Sequence, residues 1–344
     1  MKGLRSLRGW LAISGLLHVV VACAGFFAPY DPTEQDRQNP FTPPTRIHFI
    51  DDRRHWHLRP FIYGYVAGED SFEPLREDTT KVIPLRFFTS GARYHLLGFI
   101  PCRWHLFGVQ SGRFYLLGSD GYGRDQWSRI LYGGQISLLA GLLGTSLTLV
   151  LGAAAGTLAG YYGGWRDGLL MRVAELFMAL PWLYLLLALR AFLPLKVTPL
   201  QAFLLVIVVL GGVGWARPSR LVRGVVLGEK ERDFVRAARG LGGSNSYVLR
   251  RHIFPATSHV LLTQAAILVP QFVLGEMTLS FLGLGVPEPI PSWGNLLSNL
   301  QQYSVLVSYW WMYLPAVAVV PFFLGYLRVA SALQERANPY KIGE

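Results

Sequence analysis

The sequence predicts an all-α polytopic membrane protein with six transmembrane helices and a small β-rich external insert between the first two. Of its 344 residues, 51% are hydrophobic and only 15% are charged, a composition typical of chains that span membranes repeatedly. Its apolar segments are each near the ~20 residues that cross a hydrocarbon core. These predicted spans are 10–28, 136–160, 169–193, 200–216, 260–284 and 309–330.

The basic residues are concentrated in short pieces beside the apolar segments. The net charge is +11, and the stretch 216–259 carries nine basic against three acidic residues, whereas 30–127 carries twelve of each. Lys2, Arg5 and Arg8 add a basic N-terminus. By the positive-inside rule both termini and 217–259 are cytoplasmic, and 30–135 and 285–308 are outside. This distribution excludes a nucleic-acid-binding protein, because nucleic-acid binding needs one contiguous basic patch on a folded domain, whereas here the basic residues lie in short separate pieces.

The first apolar segment predicts an uncleaved transmembrane helix. The four residues that end at Cys23 resemble a lipoprotein cleavage site, but the apolar run continues through Phe27. The other cysteine, Cys102, lies far beyond this segment, so no disulfide is expected. We assign 1–30 to the cytoplasmic N-terminus and first helix, 31–117 to the insert, and 118–344 to the main transmembrane domain.

The insert opens with a proline-rich loop and continues with short β-type runs. These runs combine aromatic and β-branched residues with polar breaks, at 46–50, 58–66, 81–88, 94–100 and 113–117. Five histidines are scattered through the insert, and His55 and His57 flank Trp56. No cysteine or carboxylate spacing completes a ligand set around them, so no metal site is expected.

The second span carries glycines at strict four-residue intervals, namely Gly152, Gly156, Gly160 and Gly164. Small residues at this spacing let helix backbones approach closely in lipid. The neighbouring helix can belong to this chain or to a partner subunit, and the spacing does not decide between them.

The most informative stretch is a basic helix-turn-helix pattern at 234–255, which we call the elbow. Ala237, Ala238 and Leu241 form a short apolar face, and Gly242-Gly243 end the first helix. Ser244 or Asn245 can cap a second helix. That helix places Val248, Leu249 and Ile253 on one face, and Pro255 closes the unit. An elbow of this kind is suited to docking against another protein.

The elbow resembles the cytoplasmic coupling loop of bacterial ABC-importer permeases. In that family a Glu-Ala-Ala triplet is followed after three residues by Gly, and a Pro lies thirteen residues beyond that Gly. Here the register is Arg236-Ala237-Ala238, then Gly242, then Pro255. The family's acidic residue is therefore replaced by Arg236.

Further motifs resemble the second, C-type subunit of the dipeptide/oligopeptide/nickel permeases, over 117–340 and the first apolar segment. They are Leu117-Gly-Ser-Asp-Gly-Tyr-Gly-Arg-Asp125, Leu131-Tyr-Gly-Gly-Gln-Ile-Ser-Leu138, Gly160-Tyr-Tyr-Gly-Gly164, and Leu279-Ser-Phe-Leu-Gly-Leu-Gly285 followed by Pro291-Ser-Trp-Gly-Asn295. The resemblance implies a type I importer fold in the bacterial inner membrane. It does not explain the length of the insert.

The resemblance implies a non-enzymatic subunit that forms half of a translocation pathway for peptides or similar small solutes. The implied partners are a second homologous permease, two ATPases, an extracytoplasmic substrate-binding protein and the lipid bilayer. The chain lacks a phosphate-binding loop, so ATP and Mg would be used by the ATPases and no cofactor is expected here. The coupling loop spans 228–258, and its expected contact residues are Arg236, Ala237, Ala238, Gly242, His252 and Pro255.

Two outer loops are expected to receive the binding protein, through Asp120, Arg124, Asp125 and Trp293. Glu276, in the outer half of the fifth span, is costly at membrane depth and so indicates a role. It can line the pathway, or hydrogen-bond to a partner permease or to a helix break near Gly283 and Gly285.

Three alternatives stay open. An importer of nickel or of a peptide-linked antibiotic shares the same motifs. A secondary transporter without an ATPase is disfavoured, because a single span carries an acidic residue away from its ends and no inverted repeat is evident. A membrane-embedded enzyme that uses Glu276 with the external histidines is disfavoured, because no motif places these groups together.

Overall fold

The computed structural model describes residues 2–52, 54–66, 76–181, 184–185, 187–188 and 198–337, and these are mostly helical. The α-helices, in chain order, are α1 (Lys2–Ala22), α2 (Ala24–Phe27), α3 (Gln126–Tyr162), α4 (Gly164–Ala179), α5 (Pro199–Gly214), α6 (Ala216–Glu229), α7 (Asp233–Gly240), α8 (Asn245–Val248), α9 (Phe254–Phe281), α10 (Trp293–Ser298), α11 (Tyr303–Ser308) and α12 (Leu314–Ala337).

Among the described residues, three helical stretches are long and apolar enough to cross a membrane: Gln126–Tyr162, Asn245–Phe281 and Trp310–Glu335. A fourth span is possible if α5 and α6, which meet at a bend of 42°, are taken together. The apolar part of the first helix, Leu7–Ala22, is shorter. The predicted third span, 169–193, coincides with α4 as far as Ala179, and much of its remainder lies outside the described residues. The six predicted spans are therefore recovered only in part.

The chain divides into two compact units whose boundaries cut through the long helices. One contains Met1–Ser14, Leu138–Leu279 and Pro321–Glu344, and it holds the elbow. The other contains Gly15–Ser137 and Ser280–Val320, and it holds the insert together with the loop that follows α9.

The described residues of the insert form five strands: β1 (His48–Ile50), β2 (Trp56–Val66), β3 (Arg76–Pro84), β4 (Arg86–Leu96) and β5 (Ile100–Gly108). The first three form an antiparallel sheet in the order β1-β2-β3, and the last two form a separate hairpin. The predicted strand at 113–117 does not form. Instead, the backbone N–H of Tyr115 donates to Thr45 Oγ1 and that of Thr45 donates to Tyr115 O, while Phe114 lies in the insert's core with Ile62 and Leu85.

The glycine stripe of α3 packs against α6 of the same chain. A Cβ at Gly152 would lie 2.8 Å from Pro218 Cβ, and one at Gly160 would lie 2.9 Å from Val226 Cβ. Between them, a Cβ at Gly156 would collide with the carbonyl oxygen of Ser219. The stripe is thus an intramolecular contact in which no side chain larger than hydrogen fits.

Gly164 does not belong to this stripe, which corrects the predicted set of four. The helix α3 ends at Tyr162, and Gly163 and Gly164 both adopt positive φ, at 66° and 61°. A Cβ at Gly164 would meet nothing within 4 Å. The four-residue spacing continues into the turn because the turn needs glycine for its backbone conformation.

In the second unit, glycines of α3 make room for the loop that precedes α10. Trp293 donates its indole N–H to the carbonyl of Ile130 at 3.0 Å, and its ring lies against Gly134. The backbone of Ser292 lies within 3.1 Å of a Cβ position at Gly133. Ser292 also caps α10 in a reciprocal capping box with Asn295. Two of the sequence motifs are therefore the two sides of one contact.

Candidate functional site

The elbow begins with α7, which ends in a Schellman motif at Gly242. The N–H of Gly242 donates to Arg239 O at 3.0 Å, and the N–H of Gly243 donates to Ala238 O at 2.9 Å. These are the two bonds of that motif, and they satisfy carbonyls that the helix end leaves open. Gly242 has φ 87°, a conformation that side-chain-bearing residues adopt at a cost. The predicted helix end at Gly242-Gly243 is confirmed.

The second helix of the elbow begins at a Ser244 cap and continues without interruption into the membrane-type helix α9. Ser244 Oγ accepts from Tyr247 N at 3.2 Å, so the structure chooses Ser244 over Asn245 as the cap. A π-helical turn, Leu249–Ile253, joins α8 to α9. The whole stretch Asn245–Phe281 is one 37-residue helix.

Pro255 lies inside this helix and does not close the elbow, which corrects the prediction. Proline lacks an N–H, and its ring clashes with the carbonyl four residues back in a regular helix. In the π turn directly before it, Phe254 N donates to Leu249 O, five residues back. This wider turn relieves the clash, and the chain stays helical.

One side of the elbow is buried against α3 and α6. Val235, Val248 and Ile253 are at most 1% exposed and share a core with Val222 and Val226. Val248 and Ile253 belong to the predicted apolar face. Val235 is not part of the predicted face, because a single valine in a short basic helix gives no hydrophobic periodicity. Its burial is evident only from its contacts with the other helices.

The opposite side of the elbow is open. Leu241 is 90% exposed, Ala237 is exposed and Ala238 is half-buried. The apolar face predicted on α7 is therefore present, and within the described chain it is left largely uncovered. His252 lies between the rings of Phe234 and Tyr247, with centroid distances of 5.4 and 5.8 Å. Its Nε2 is buried and makes no hydrogen bond among the described residues.

Arg236, which replaces the acidic residue of the resembling family, pairs within the elbow region. Its guanidinium donates to Glu231 Oε2 at 2.7 Å, and the hydrogen bond lowers the pKa of Glu231. Both side chains are about 60% exposed (61% and 59%), so solvent screens the pair and it contributes little to stability. The pair can open without a large cost when another protein binds.

Tyr161, at the end of α3, contacts both helices of the elbow. The guanidinium of Arg239 lies 4.8 Å from the centre of its ring, and its hydroxyl donates to Asn245 Oδ1 at 2.8 Å. Lys230 donates to Gly160 O at 3.0 Å beside it. In the sequence, Tyr161 belongs to the Gly160–Gly164 motif, and the resemblance of that motif implies no role for its side chain. The contact with the elbow depends on tertiary packing between residues 84 positions apart.

The four residues expected to contact a binding protein are buried, which corrects the role assigned to their side chains. Asp120, Arg124, Asp125 and Trp293 are each 1–3% exposed. Arg124 pairs with Asp120 at 2.7 Å and with Glu288 at 2.6 Å. Glu288 also binds Arg129 at 2.8 Å. These side chains hold the loop 117–125 to the loop after α9.

Asp125 is buried, and within the described part of the chain its carboxylate forms no ion pair. It accepts hydrogen bonds from the backbone and side chain of Ser128, at 2.8 and 2.5 Å, while its Oδ1 has no hydrogen-bond partner among the described residues. Burial, the largest effect, raises the pKa of Asp125 to about 7.

Glu276 is completely enclosed, with no exposed surface. In this conformation its carboxylate offers no surface to a second subunit or to a solute.

In the insert, His55 and His57 both approach Asp51, at 3.3 and 3.1 Å. Among the described residues, no group of three or more His, Cys, Asp or Glu side chains is arranged to hold a metal ion.

Comparison with known proteins bears directly on the region that contains α6, the elbow and α9. The family described as "Binding-protein-dependent transport system inner membrane component" matches residues 152–338, more than half of the chain. A putative peptide transport system permease protein of Brucella suis biovar 1 is 36% identical over 228 residues, 66% of this chain and 74% of that protein. A dipeptide transport system permease protein of Alkalihalophilus pseudofirmus is 32% identical over 223 residues, 64% of this chain and 71% of that protein.

A crystal structure of an amino acid ABC transporter with histidines covers 61% of this chain, and the match takes in 94% of that chain, at 17% identity and a TM-score of 0.43. A score of that size carries no conclusion. The family match and the sequence identities to the two permeases are sufficient to assign the family. The chain belongs to the binding-protein-dependent transport system inner membrane components, the permease subunits of ABC importers.

Proposed function

We propose that this chain forms half of the translocation pathway of an ATP-driven importer for peptides, and that the elbow couples it to a separate ATPase. The observation that carries this proposal is the continuous helix from the elbow to Phe281. A force applied at the elbow reaches the membrane-type helix α9 along one continuous helix, in which Pro255 and Pro270 each remove a single backbone hydrogen bond without ending the helix. The peptide substrate is supported by the names of the two relatives.

The open side of the elbow is the proposed docking surface. Ala237 and Ala238 let a partner backbone approach closely, and Leu241, at 90% exposure, supplies an apolar contact. The buried side of the elbow packs against α3 and α6. A displacement of the elbow would therefore also displace α3 and α6. ATP-driven closure of an ATPase dimer would shift the elbow between two packed states, and the pathway would change its access with it.

The positive charge at Arg236 calls for a complementary partner. In the permease family, an acidic residue at this position can pair with a basic residue of the ATPase. Arg236 carries the opposite charge at this position. We propose that the ATPase of this system presents a carboxylate to Arg236. The bond to Glu231 would then be exchanged for one to the partner, at little cost because both groups are exposed.

The proposed assembly contains this chain, a second homologous permease, two ATPases and an extracytoplasmic substrate-binding protein. The charge distribution supports six spans with both termini and the elbow in the cytoplasm and with the β-containing insert outside. The binding protein would then meet the outer loops through exposed residues around the buried ion pairs. ATP and Mg would act in the ATPases.

The test is a mild-detergent pull-down of the tagged chain from its native membranes, with mass spectrometry of the partners. Recovery of a second permease and two ATPases is expected, and a ligand on a co-purified binding protein would identify the solute. Recovery of the chain alone, with no ATPase even after cross-linking, would overturn the proposal.

A matched pair of variants locates the docking surface. Ala237→Trp places a large side chain on the exposed face of α7 and is expected to lose the ATPases while keeping the second permease. Gly168→Trp is the control, because Gly168 is also exposed and lies on α4, outside the elbow, with nothing within 4 Å of its Cβ position. Equal ATPase recovery in both variants would contradict the proposed surface.

A further inference from the structure

The hairpin of β4 and β5 has a composition unlike the rest of the insert. Residues 86–108 include three arginines and no acidic residue. Its turn is a run of apolar residues, Leu96-Leu97-Gly98-Phe99-Ile100, in which Leu97 is 52%, Phe99 71% and Ile100 45% exposed. The sheet of β1, β2 and β3 also exposes apolar side chains, but Asp51, Glu77 and Asp78 lie among them.

The hairpin packs along the end of the first helix in a defined direction. Near its base, His105 Nδ1 lies 2.6 Å from the carbonyl oxygen of Ala28, just after α2. Nearer its turn, the ring of Tyr94 covers Gly25, one helical turn earlier. From base to turn, the hairpin therefore runs back along the first helix, towards the segment that would lie in the membrane. The last paired residues, Leu96 and Ile100, lie beyond Tyr94 in the same direction.

The charged and apolar residues of the hairpin are arranged in levels along this direction. Arg93 and Arg103 are exposed and flank the paired residues Tyr94 and Cys102. Trp104, next to Arg103, is 58% exposed. The apolar turn lies beyond them. Basic and indole side chains favour the headgroup region of a bilayer, whereas leucine and phenylalanine favour its hydrocarbon.

We propose that the turn of this hairpin inserts into the outer leaflet of the bilayer beside the first helix. Arg93 and Arg103 contact phosphate groups of anionic lipids, and Leu97 and Phe99 enter the acyl region. The absence of acidic residues from 86–108 favours a lipid surface, since anionic headgroups would repel carboxylates. The insert thereby adds a membrane contact to those of the spanning helices. The proposed function enters only in assigning the leaflet.

The test measures depth in the bilayer by electron paramagnetic resonance. Cys23 and Cys102 are replaced by serine, and single cysteines at Phe99 or Leu97 carry a nitroxide label. The full chain is reconstituted in vesicles of phosphatidylethanolamine and phosphatidylglycerol, and power saturation is compared with oxygen and with a water-soluble nickel chelate. Leu58→Cys is the matched control, because Leu58 is an apolar residue of β2 that is 82% exposed.

Labels at the turn are expected to collide with oxygen and to be protected from the chelate, whereas the label at position 58 shows the reverse. Exchange of phosphatidylglycerol for phosphatidylcholine is expected to weaken the protection at position 99. Access of the chelate at 97 and 99 equal to that at 58 would overturn the proposal. Immobilised labels that neither reagent reaches would also overturn it, because they would show a protein as the occupant. The measurement needs no ATPase, so it stands or falls independently of the coupling proposal.

Discussion

Gly242 is the residue at which the elbow changes direction, and its backbone conformation matters more than its size. Its φ is 87°, and nothing lies within 4 Å of a Cβ placed there. A larger residue would therefore fit sterically but would strain the backbone, by about 1–2 kcal/mol or more for a β-branched one. Asparagine tolerates this conformation better than other residues with side chains.

We predict that Gly242→Val lowers ATP-dependent uptake strongly while membrane insertion is unchanged, and that Gly242→Asn keeps a substantial part of the uptake. Uptake into proteoliposomes with the purified ATPases measures both. Gly224→Val is the control, because Gly224 is exposed, lies within α6 before the coupling loop and also has nothing within 4 Å of its Cβ position. Unchanged uptake in Gly242→Val would count against a mechanical role of the turn.

Asp125 gives the protein a pH-dependent term in its stability. The raised pKa of about 7 compares with an ordinary value of 3.8. Between these values the folded chain keeps the proton and the unfolded chain releases it. The favourable contribution is therefore complete below pH ~4 and is lost as pH rises to ~7, with an upper limit of about 4 kcal/mol.

Asp125→Asn is expected to flatten this part of the stability profile. Its amide oxygen can accept the same hydrogen bonds from Ser128 without titrating. The melting temperature in detergent should then fall less between pH ~4 and ~7 than that of the parent chain. Asp52→Asn, at an exposed aspartate, serves as the control, and it should follow the parent profile. A parallel profile for Asp125→Asn would show that this carboxyl does not bear the term.

At the scale of elements, the four-residue glycine spacing of α3 produces a close packing contact with α6. Gly152, Gly156 and Gly160 leave a groove on α3, and the ridge of α6 from Pro218 to Val226 fills it. Apolar side chains gain little from association in lipid, so close backbone approach and dispersion contacts hold such pairs. The same α6 supplies Val222 and Val226 to the elbow's core. The glycine stripe thus helps to place the elbow.

We predict that Gly156→Ala destabilises the protein by about 1–3 kcal/mol, because its methyl group would collide with the backbone of Ser219. Gly212→Ala in α5 is the control, since a Cβ there meets nothing within 4 Å, and it should be neutral or slightly stabilising. Thermal unfolding in detergent measures both. A melting temperature of Gly156→Ala at or above that of the control would contradict this account of the contact.

At the scale of the whole molecule, the two compact units divide the proposed tasks. The elbow, α6 and α9 up to Leu279 belong to one unit, and the insert belongs to the other. The family match, at residues 152–338, starts beyond the insert. The insert therefore lies outside the part of the chain that the family match covers.

This division predicts that replacing residues 48–83 by a flexible Gly-Ser linker leaves ATPase recovery in the pull-down unchanged. The replaced segment contains β1, β2 and all of β3 except its last residue, and it contains no part of the elbow or its contacts. The intact chain purified in parallel is the reference. Selective loss of the ATPases, with the second permease retained, would show that the insert is coupled to the elbow.

The sequence by itself determined the helical membrane class, the family, the helix-turn-helix at 234–255 and its end at Gly242. The family rests on motifs that resemble it, whereas the class and the helix-turn-helix depend on composition and on neighbours within a few residues, such as a glycine that follows a helix. The glycine spacing on α3 likewise predicted a close helix contact but not its partner.

Only the tertiary structure decided which pattern residues act together. Gly164 leaves the stripe because α3 ends two residues earlier, and Pro255 stays inside a helix because a π turn precedes it. Asp120, Arg124, Asp125 and Trp293 are buried through contacts with Glu288, Ser128 and Ile130, which include partners more than 160 positions away. Burial and long-range pairing depend on which elements contact each other in the folded chain. A single sequence indicates the elements but not the contacts between them.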